Sequence, residues 1–228
     1  MKQKETQTFW QGLLLLILFG IWTLLIQTVD VGIAGETGTD VGFVTLNQWF
    51  HHGTGVHLGL YTATDWLGLV PVAVCLGFGG LGFSQLLRRK SLFRVDGDIL
   101  LLGVYYIAVI AGYLIFEMFP INYRPVLIEG RLEASYPSST TLLVLCVMPT
   151  LVFQGNRRIK SQRSRKLSGI LVGLFSAFMV VGRTLSGVHW FTDIVGSVLL
   201  SGGLFRLYKA LVSLFWDKKS GGSKHGVL

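Results

Sequence analysis

The sequence predicts an all-α membrane protein, a polytopic bundle of six transmembrane spans in one integral-membrane domain covering residues 1–228. Apolar residues make up 51% of the chain and charged residues only 14%, well below the ~25% typical of a soluble domain. Several apolar runs approach or exceed the ~18–20 residues needed to cross a bilayer. Basic residues cluster between these runs, a pattern typical of a polytopic membrane protein.

Six apolar runs predict the individual spans. The fourth and fifth are short, which tilt and flanking residues can accommodate. The first run lacks a small-residue cleavage site, so we expect a retained span and not a removed signal peptide. The predicted spans are Phe9–Thr28, Thr64–Leu87, Ile99–Met118, Ser139–Phe153, Leu167–Gly182 and Thr192–Trp216.

The segment 29–63 predicts an external loop with an interfacial helix around Val41–Phe50. It contains His51, His52 and His57, but no carboxylate or Cys pattern accompanies them, so we expect a solvated or interfacial loop and no metal site. The two cysteines, Cys75 and Cys146, stand inside apolar runs and are expected to be small buried hydrophobic residues. The sequence thus predicts neither a bound metal nor a cofactor.

The basic residues orient the chain. They precede the first span, fill the loops after the second and fourth, and lie at or beyond the end of the sixth: Lys2, Lys4, Arg88, Arg89, Lys90, Arg94, Arg157, Arg158, Lys160, Arg163, Arg165, Lys166, Arg206, Lys209, Lys218, Lys219 and Lys224. The positive-inside rule places both termini in the cytoplasm. Anionic lipid at that face explains the clusters without nucleic acid; the oligomeric state stays open.

Only three basic residues remain for the opposite, external face. These are Arg124, Arg131 and Arg183, and each lies in a segment with other unusual polar residues. A face otherwise free of positive charge keeps arginines where a ligand requires them, and the guanidinium fork matches the oxygens of phosphate. We therefore expect a phosphate site on the external face.

The segment 182–193, between the last two predicted spans, holds Arg183, His189 and Asp193. Ionisable groups at the mouth of an apolar segment are costly and indicate function by default. A guanidinium binds phosphate oxygens, an imidazole can attack, and a carboxylate can orient that imidazole and stabilise its cation. The structural alternative is an interfacial Arg–Asp pair beside a helix-capping His.

Two earlier external segments, Tyr123–Pro125 and Tyr136–Thr140, complete a set of three. In order and spacing the set resembles the motifs of the type 2 phosphatidic acid phosphatase family, six-span lipid phosphatases related to vanadium haloperoxidases and bacterial acid phosphatases. The third family motif is Ser-Arg, five residues, His, three residues, Asp, and Arg183, His189 and Asp193 match it. The resemblance implies that His189 forms a phosphohistidine, that Asp193 holds its far nitrogen and that Arg183 binds phosphate.

The first and second motifs depart from the family pattern. The first is Lys, six residues, Arg-Pro; Arg124–Pro125 matches, but Glu117 replaces the Lys. The second is Pro-Ser-Gly-His; Pro137–Ser138 matches, but Ser139–Thr140 replaces Gly-His. In the third, Gly182 replaces the Ser. The family's second-motif His is the expected proton donor to the leaving group, and the Thr hydroxyl cannot fill that role near neutral pH.

Three explanations remain open for the missing donor. The site can be a degenerate binder, or a buried carboxyl group can act as acid, with Glu133, Glu129 and Glu117 as candidates. The third explanation is a substrate that needs little protonation. A lipid monophosphate expels an alkoxide, comparable to water with its pKa of about 15.7. A lipid pyrophosphate expels a phosphate monoester, whose second pKa is about 6.

Together these patterns predict an integral-membrane lipid phosphate phosphohydrolase with an external active site. The compact loops are typical of a protein of the bacterial cell membrane. Arg124, Arg183 and the Ser138 hydroxyl are expected to hold the phosphoryl group. Arg131 is either a further clamp or a solvated Arg paired with Glu129 or Glu133. The expected partner is a phosphorylated membrane lipid, with polyprenyl pyrophosphate preferred over phosphatidylglycerol phosphate or phosphatidate. The alternatives are a binding-only protein and a phosphotransferase.

Overall fold

The structure is a computed structural model that describes residues 2–36 and 38–215. A two-stranded antiparallel sheet pairs β1 (Gly32–Ala34) with β2 (Thr39–Val41). A 3₁₀ turn occupies Leu92–Arg94. The α-helices of these residues, in chain order, are α1 Lys2–Thr28, α2 Val44–Thr54, α3 Leu58–Leu67, α4 Leu69–Arg89, α5 Gly97–Met118, α6 Ser139–Arg158, α7 Gln162–Leu185 and α8 Phe191–Phe215.

The predicted six-span architecture is confirmed. Six segments of the described chain are long and apolar enough to cross a membrane. The helices extend past the predicted spans, because hydropathy marks only the hydrocarbon-facing part of a helix that continues into the polar interface. The predicted fifth span, Leu167–Gly182, is the middle of α7. The end of the predicted sixth span, Trp216, and the basic residues Lys218, Lys219 and Lys224 lie outside the described residues.

The second span is built from α3 and α4, which form one apolar segment, Leu58–Arg89. The two helices meet at Gly68, which keeps right-handed helical backbone angles, so the chain continues across the junction with little change. Prediction from hydropathy began this span at Thr64 and omitted the first turns of α3. That omission proves important, because α3 forms one wall of the site described below.

The segment between α1 and α3 contains the predicted interfacial helix. It appears as α2, which starts at Val44 because β2 occupies the chain as far as Val41. The Asn47 side chain donates to the carbonyl of Gly42 at 2.8 Å and to Oγ1 of Thr192 at 3.0 Å. In return, its carbonyl oxygen accepts from the backbone N–H of Thr192 at 3.3 Å. This segment therefore anchors the start of α8.

Helix α6 is the most enclosed span, with half of its apolar window buried, and α8 follows. Helices α1 and α8 pack closely because glycines line their contact: a Cβ at Gly12 would lie 3.0 Å from the backbone nitrogen of Leu207. The other spans expose large apolar side chains around the bundle, including Trp66, Leu76, Ile107 and Leu174. Such an apolar perimeter is what a bilayer requires of a membrane protein.

The bundle has two polar ends. At one end, the α4–α5 and α6–α7 connections carry the basic clusters, and Asp98 at the start of α5 contacts Arg157 and Arg158 at the end of α6. At the other end, the long α5–α6 connection meets the α7–α8 connection. We call the first the basic end and the second the motif end, since the three sequence motifs gather there.

Candidate active site

The α5–α6 connection folds as an irregular hairpin. The backbone N–H of Arg124 donates to the carbonyl of Glu133 at 3.1 Å, and that of Ser135 donates to the carbonyl of Asn122 at 2.8 Å. Tyr123 and Ala134 form an antiparallel bridge between these pairs. This pairing places Asn122, Arg124 and Ser135 side by side, and all three are buried.

The α7–α8 connection is a tight turn that presents His189. Gly187 has φ 71°, in the left-handed region, and a Cβ there would lie 2.1 Å from the carbonyl oxygen of Gly55. Only glycine fits such a position without moving the neighbouring backbone. A ring nitrogen of His51 also contacts the carbonyl of Gly187 at 3.1 Å. The segment predicted as a solvated or interfacial loop thus contains one histidine, His51, whose ring supports this turn.

Helix α8 begins immediately after the turn, and Asp193 secures its first residues. The Asp193 carboxylate accepts from the backbone N–H of Trp190 at 2.9 Å, the reciprocal bond of a helix capping box. It also accepts from the Asn122 amide at 3.2 Å and from the Ser135 hydroxyl. Three donors therefore fix one fully buried carboxylate.

The His189 ring is held through Nδ1. That atom lies 3.1 Å from both the carbonyl oxygen and the hydroxyl oxygen of Ser135. A carbonyl can only accept, so Nδ1 carries the proton and Nε2 carries the lone pair. The family resemblance implies that Asp193 holds this nitrogen directly. The structure places a carboxylate oxygen of Asp193 3.8 Å from Nδ1, and the Ser135 hydroxyl, which donates to that oxygen, also lies next to Nδ1.

The environment of His189 favours the neutral imidazole. Burial lowers its pKa well below the ordinary value, and the cations of Arg124 and Arg183 lower the pKa further. Nε2 is buried and has no hydrogen-bond partner among the described residues. The arrangement therefore offers an unprotonated, unoccupied nitrogen next to two positive charges, as a nucleophile toward an anion requires.

Arg183 enters the site from the last turn of α7 and is almost fully buried, with 1% of its side chain exposed. Its Nη1 donates to the carbonyl of Tyr61 and to the Thr64 hydroxyl at 3.4 and 3.3 Å. Its Nη2 donates to Oδ1 of Asp65 at 3.4 Å. Its Nε has no hydrogen-bond partner within the described chain.

Arg124 approaches from the hairpin. Its Nε lies 3.1 Å from a Glu133 carboxylate oxygen, but the N–H is not aligned with that oxygen, so the contact is an ion pair without a hydrogen bond. Nε and Nη1 both lack a hydrogen-bond partner in residues 2–36 and 38–215. The guanidinium carbons of Arg124 and Arg183 lie 5.8 and 4.6 Å from the ring centre of Tyr61, so this one ring spaces the two cations.

Unpartnered buried donors are the distinguishing property of the site. Buried polar groups in folded proteins nearly always have partners, and a buried donor left unpaired costs ~1–3 kcal/mol, more when it is charged. Arg124 and Arg183 leave such donors here, beside the unpartnered lone pair on Nε2 of His189. An anion with several oxygens would satisfy the guanidinium donors, and phosphate fits this chemistry.

Two adjoining cavities border residues of this region. A polar one of about 190 Å³ is lined by Arg124, Glu117 and Glu133 among others. An apolar one of about 280 Å³ opens between α3, α4, α5 and α6 and is bordered by Asp65 and Thr140. Tyr113 and Ser139 line both cavities. A headgroup and an apolar tail would therefore have neighbouring compartments.

The other predicted residues differ in their placement. Ser138 is fully buried before α6 and its hydroxyl donates to Oγ1 of Thr141 at 3.1 Å. Arg131 and Glu129 are exposed at the tip of the hairpin, where the backbones of Ile128 and Arg131 pair. Arg131 forms no ion pair with another residue that the structure describes. Of the two alternatives for Arg131, the pairing with Glu129 or Glu133 is not present among the described residues, because Glu133 faces Arg124 and Glu129 occupies the turn. Its role as a further phosphate clamp stays a prediction.

Sequence reasoning missed four contributors: Tyr61 and Asp65 on α3, and Asn122 and Ser135 on the hairpin. Asp65 carried a usable signal, since an ionisable residue inside an apolar run indicates function. The hairpin pair carried none beyond its closeness to Arg124 and Ser138, because Asn and Ser are common in loops. In the described residues, no group of three or more His, Cys, Asp or Glu side chains is placed to hold a metal ion.

Comparison with known proteins identifies the fold and the family of the chain. A solved structure described as the first transmembrane PAP2 type phosphatidylglycerolphosphate phosphatase from Bacillus subtilis aligns with a TM-score of 0.60. The alignment covers 90% of this chain and 96% of that one at 18% sequence identity, which establishes a shared fold. No match is found among curated proteins. The sequence profile of the PAP2 superfamily matches residues 99–217, just over half of the chain, and the protein therefore belongs to the PAP2 superfamily.

Proposed function

We propose that this protein is a membrane lipid phosphatase that hydrolyses a lipid phosphate or pyrophosphate through a phosphohistidine on His189. The observation that carries the proposal is the set of buried, unpartnered nitrogen atoms on Arg124, Arg183 and His189. A purely structural Arg–Asp pair would leave no donors unsatisfied. The superfamily and the fold support a phosphatase of this kind.

In the proposed reaction, Arg124 and Arg183 bind the oxygens of the transferred phosphoryl group. The lone pair of His189 Nε2 attacks phosphorus while the bond to the leaving oxygen breaks. Asp193 stabilises the resulting imidazolium through the Ser135 hydroxyl. Water then attacks the phosphohistidine and releases phosphate. Preorganised positive charge supplies most of the rate acceleration. Because the two guanidinium groups provide this charge, we propose that no metal is needed.

A polyprenyl pyrophosphate is our preferred substrate, with phosphatidylglycerol phosphate and phosphatidate as weaker ones. The support is Thr140, which stands where the family carries its proton donor. Because the phosphate monoester released from a pyrophosphate is a far better leaving group than an alkoxide, a weak acid limits pyrophosphates least. The apolar cavity beside Thr140 offers room for the start of the lipid tail.

The proposal is tested by phosphate release from purified protein with matched lipid mono- and pyrophosphates, in the presence of a chelator. His189→Ala is the control. We expect wild-type turnover, fastest on pyrophosphate, and background release by the variant. Binding without release by the wild type would instead favour a binding-only protein, and transfer to a second lipid would favour a phosphotransferase.

We further propose that the motif end faces outward and that both termini are cytoplasmic, since the basic end carries the clustered Arg and Lys residues. In a background with Cys75 and Cys146 replaced by Ala, Leu132→Cys at the motif end should react with an impermeant thiol reagent in intact cells. Gln162→Cys at the basic end should react only after permeabilisation. The reverse pattern would invert the orientation.

A further inference from the structure

Asp65 occupies a position that no family motif accounts for. It lies on α3, its Oδ1 is 3.4 Å from Nη2 of Arg183, and 59% of its side chain is exposed. It borders the apolar cavity together with Ser139 and Thr140. One carboxylate thus contacts a phosphate-binding arginine and faces the same space as the residue that replaces the family's proton donor.

A second difference from the family motifs explains how Asp65 comes to lie beside Arg183. The family carries Ser before the motif Arg, whereas this chain has Gly182. A Cβ at Gly182 would lie 2.9 Å from Cγ2 of Thr64 and 3.5 Å from Cδ1 of Leu60, both on α3. Glycine therefore allows α3 to approach α7 closely. The approach lets Thr64 and Asp65 contact Arg183.

We propose that Asp65 is the proton donor to the leaving group in this enzyme, in place of the His absent at Thr140. The inference rests on the proposed phosphatase function and deepens it. Glu117 and Glu133 line the polar cavity beside Arg124, and Glu129 stands at the exposed tip of the hairpin. Asp65 differs from all three because it borders the apolar cavity that Thr140 also lines.

The proposed chemistry uses the position of the Asp65 carboxyl group beside Arg183, which also binds the phosphoryl group. In the first step Asp65, in its protonated form, transfers its proton to the bridging oxygen as the P–O bond breaks and the bond from Nε2 of His189 to phosphorus forms. In the second step the Asp65 carboxylate accepts a proton from the attacking water, and the Nε2–P bond breaks.

A proton donor at Asp65 would add lipid monophosphates to the substrates of the enzyme, while pyrophosphates would remain the preferred ones. Lipid monophosphates become accessible, because their alkoxide leaving group gains a proton in the transition state. Pyrophosphates stay faster, because they scarcely need one. Removing the donor should therefore lower the rate on lipid monophosphates alone. If Asp65 only held Arg183 in place, its removal would instead weaken phosphate binding for both substrate classes alike.

The test compares polyprenyl monophosphate with polyprenyl pyrophosphate of the same chain length. Asp65→Asn should lower kcat on the monophosphate by ~10²-fold or more and change kcat on the pyrophosphate several-fold at most. Asp40→Asn, an exposed carboxylate on β2, is the matched control and should leave both rates unchanged. Adding Thr140→His to Asp65→Asn should restore monophosphate turnover selectively.

Gly182→Ala provides a second, independent variant that keeps the carboxylate. Its methyl group moves α3 away from Arg183 and should also impair the monophosphate reaction more. An equal loss on both substrates in Asp65→Asn, or a selective loss in Glu117→Gln or Glu133→Gln instead, would overturn the assignment. Wild-type protein that hydrolyses neither substrate would overturn the proposed function itself and this role with it.

Discussion

The two ends of the bundle both place arginines near carboxylates, yet the arginines find their partners differently. At the basic end, Asp98 lies 3.3 Å from Arg157 and 3.0 Å from Arg158. Arg158 also donates to Gln154, whose amide contacts the Tyr208 hydroxyl. This network joins α5, α6 and α8 through complementary charges and side chains.

At the motif end, the arginines are more deeply buried, and each keeps N–H groups that have no hydrogen-bond partner among the described residues. Arg124 and Arg183 are 8% and 1% exposed, compared with 27% and 31% for Arg157 and Arg158. A buried donor left unpaired costs ~1–3 kcal/mol, more when it is charged. The comparison indicates that the basic end stabilises the fold, whereas the motif end keeps unpaired N–H donors, as the proposed phosphate site requires.

The largest expected effect is the loss of the nucleophile. His189→Asn should reduce turnover by ~10⁴-fold or more, because no covalent intermediate can form without the imidazole. Phosphate release from the preferred pyrophosphate measures this, with size-exclusion chromatography in detergent to verify folding. Turnover near the wild-type rate would remove the phosphohistidine mechanism.

Changing one arginine at each end should give opposite effects: a loss of activity at the motif end and a loss of stability at the basic end. Arg124→Gln should lower kcat/KM by about 10²–10³-fold, as loss of one charge-stabilising donor does, with little loss of thermal stability. Arg158→Gln should instead lower the stability by about 1 kcal/mol, and folded protein should keep its activity. Activity assays and thermal unfolding of both variants decide the point. Equal loss of activity in both would erase the distinction between the ends.

A smaller effect is expected at Ser135, which bridges His189 and Asp193. Ser135→Ala removes the hydroxyl but keeps the carbonyl that accepts from Nδ1. We expect a fall in kcat of about ten-fold, roughly the contribution of a 1.4 kcal/mol interaction in the transition state. Asp193→Asn should cost more, because it removes the charge itself. A Ser135→Ala rate equal to that of wild type would mean that the 3.8 Å contact to Asp193 suffices.

The pH dependence should reflect the cations at the motif end. The ordinary pKa of His is about 6.5, and burial with Arg124 and Arg183 lowers that of His189. The neutral, attacking form therefore persists as pH falls through 6.5, and kcat/KM should decline only below it. The titration of the substrate phosphate is measured separately and subtracted. A decline centred above pH 6.5 would contradict a cation-lowered nucleophile.

The mildest test uses inorganic phosphate as a ligand. Phosphate bound to the folded site should raise the melting temperature by mass action, equivalent to about 2.7 kcal/mol at a hundred times the Kd. Arg124→Gln should lose this stabilisation, and Arg158→Gln should keep it. Sodium chloride at equal ionic strength controls for salt effects. Stabilisation that survives in Arg124→Gln would place the phosphate elsewhere.

The sequence allowed the bundle to be predicted well, because a bilayer imposes length and apolar composition on every span. It also predicted Arg124, Arg183, His189 and Asp193 as site residues from their types and spacing, and the structure brings these four side chains to the same end of the bundle. It could not reveal that Ser135 stands between His189 and Asp193, since that depends on a hairpin pairing with no strong local signal. Nor could it explain Gly182, because the reason is a side chain on another helix, Thr64, rather than a neighbour in the chain.

The pairing of α1 with α8 has a consequence for how the protein is made. Spans enter a membrane in the order of synthesis, so the first helix emerges long before its partner. Its Trp22 side chain donates to the carbonyl of Thr192 at 3.1 Å, and its Thr23 hydroxyl contacts that of Tyr136, which precedes α6, at 2.8 Å. Contacts of such sequence separation form slowly in folding. We therefore expect the nascent chain to remain inactive until its last span has inserted and closed the bundle.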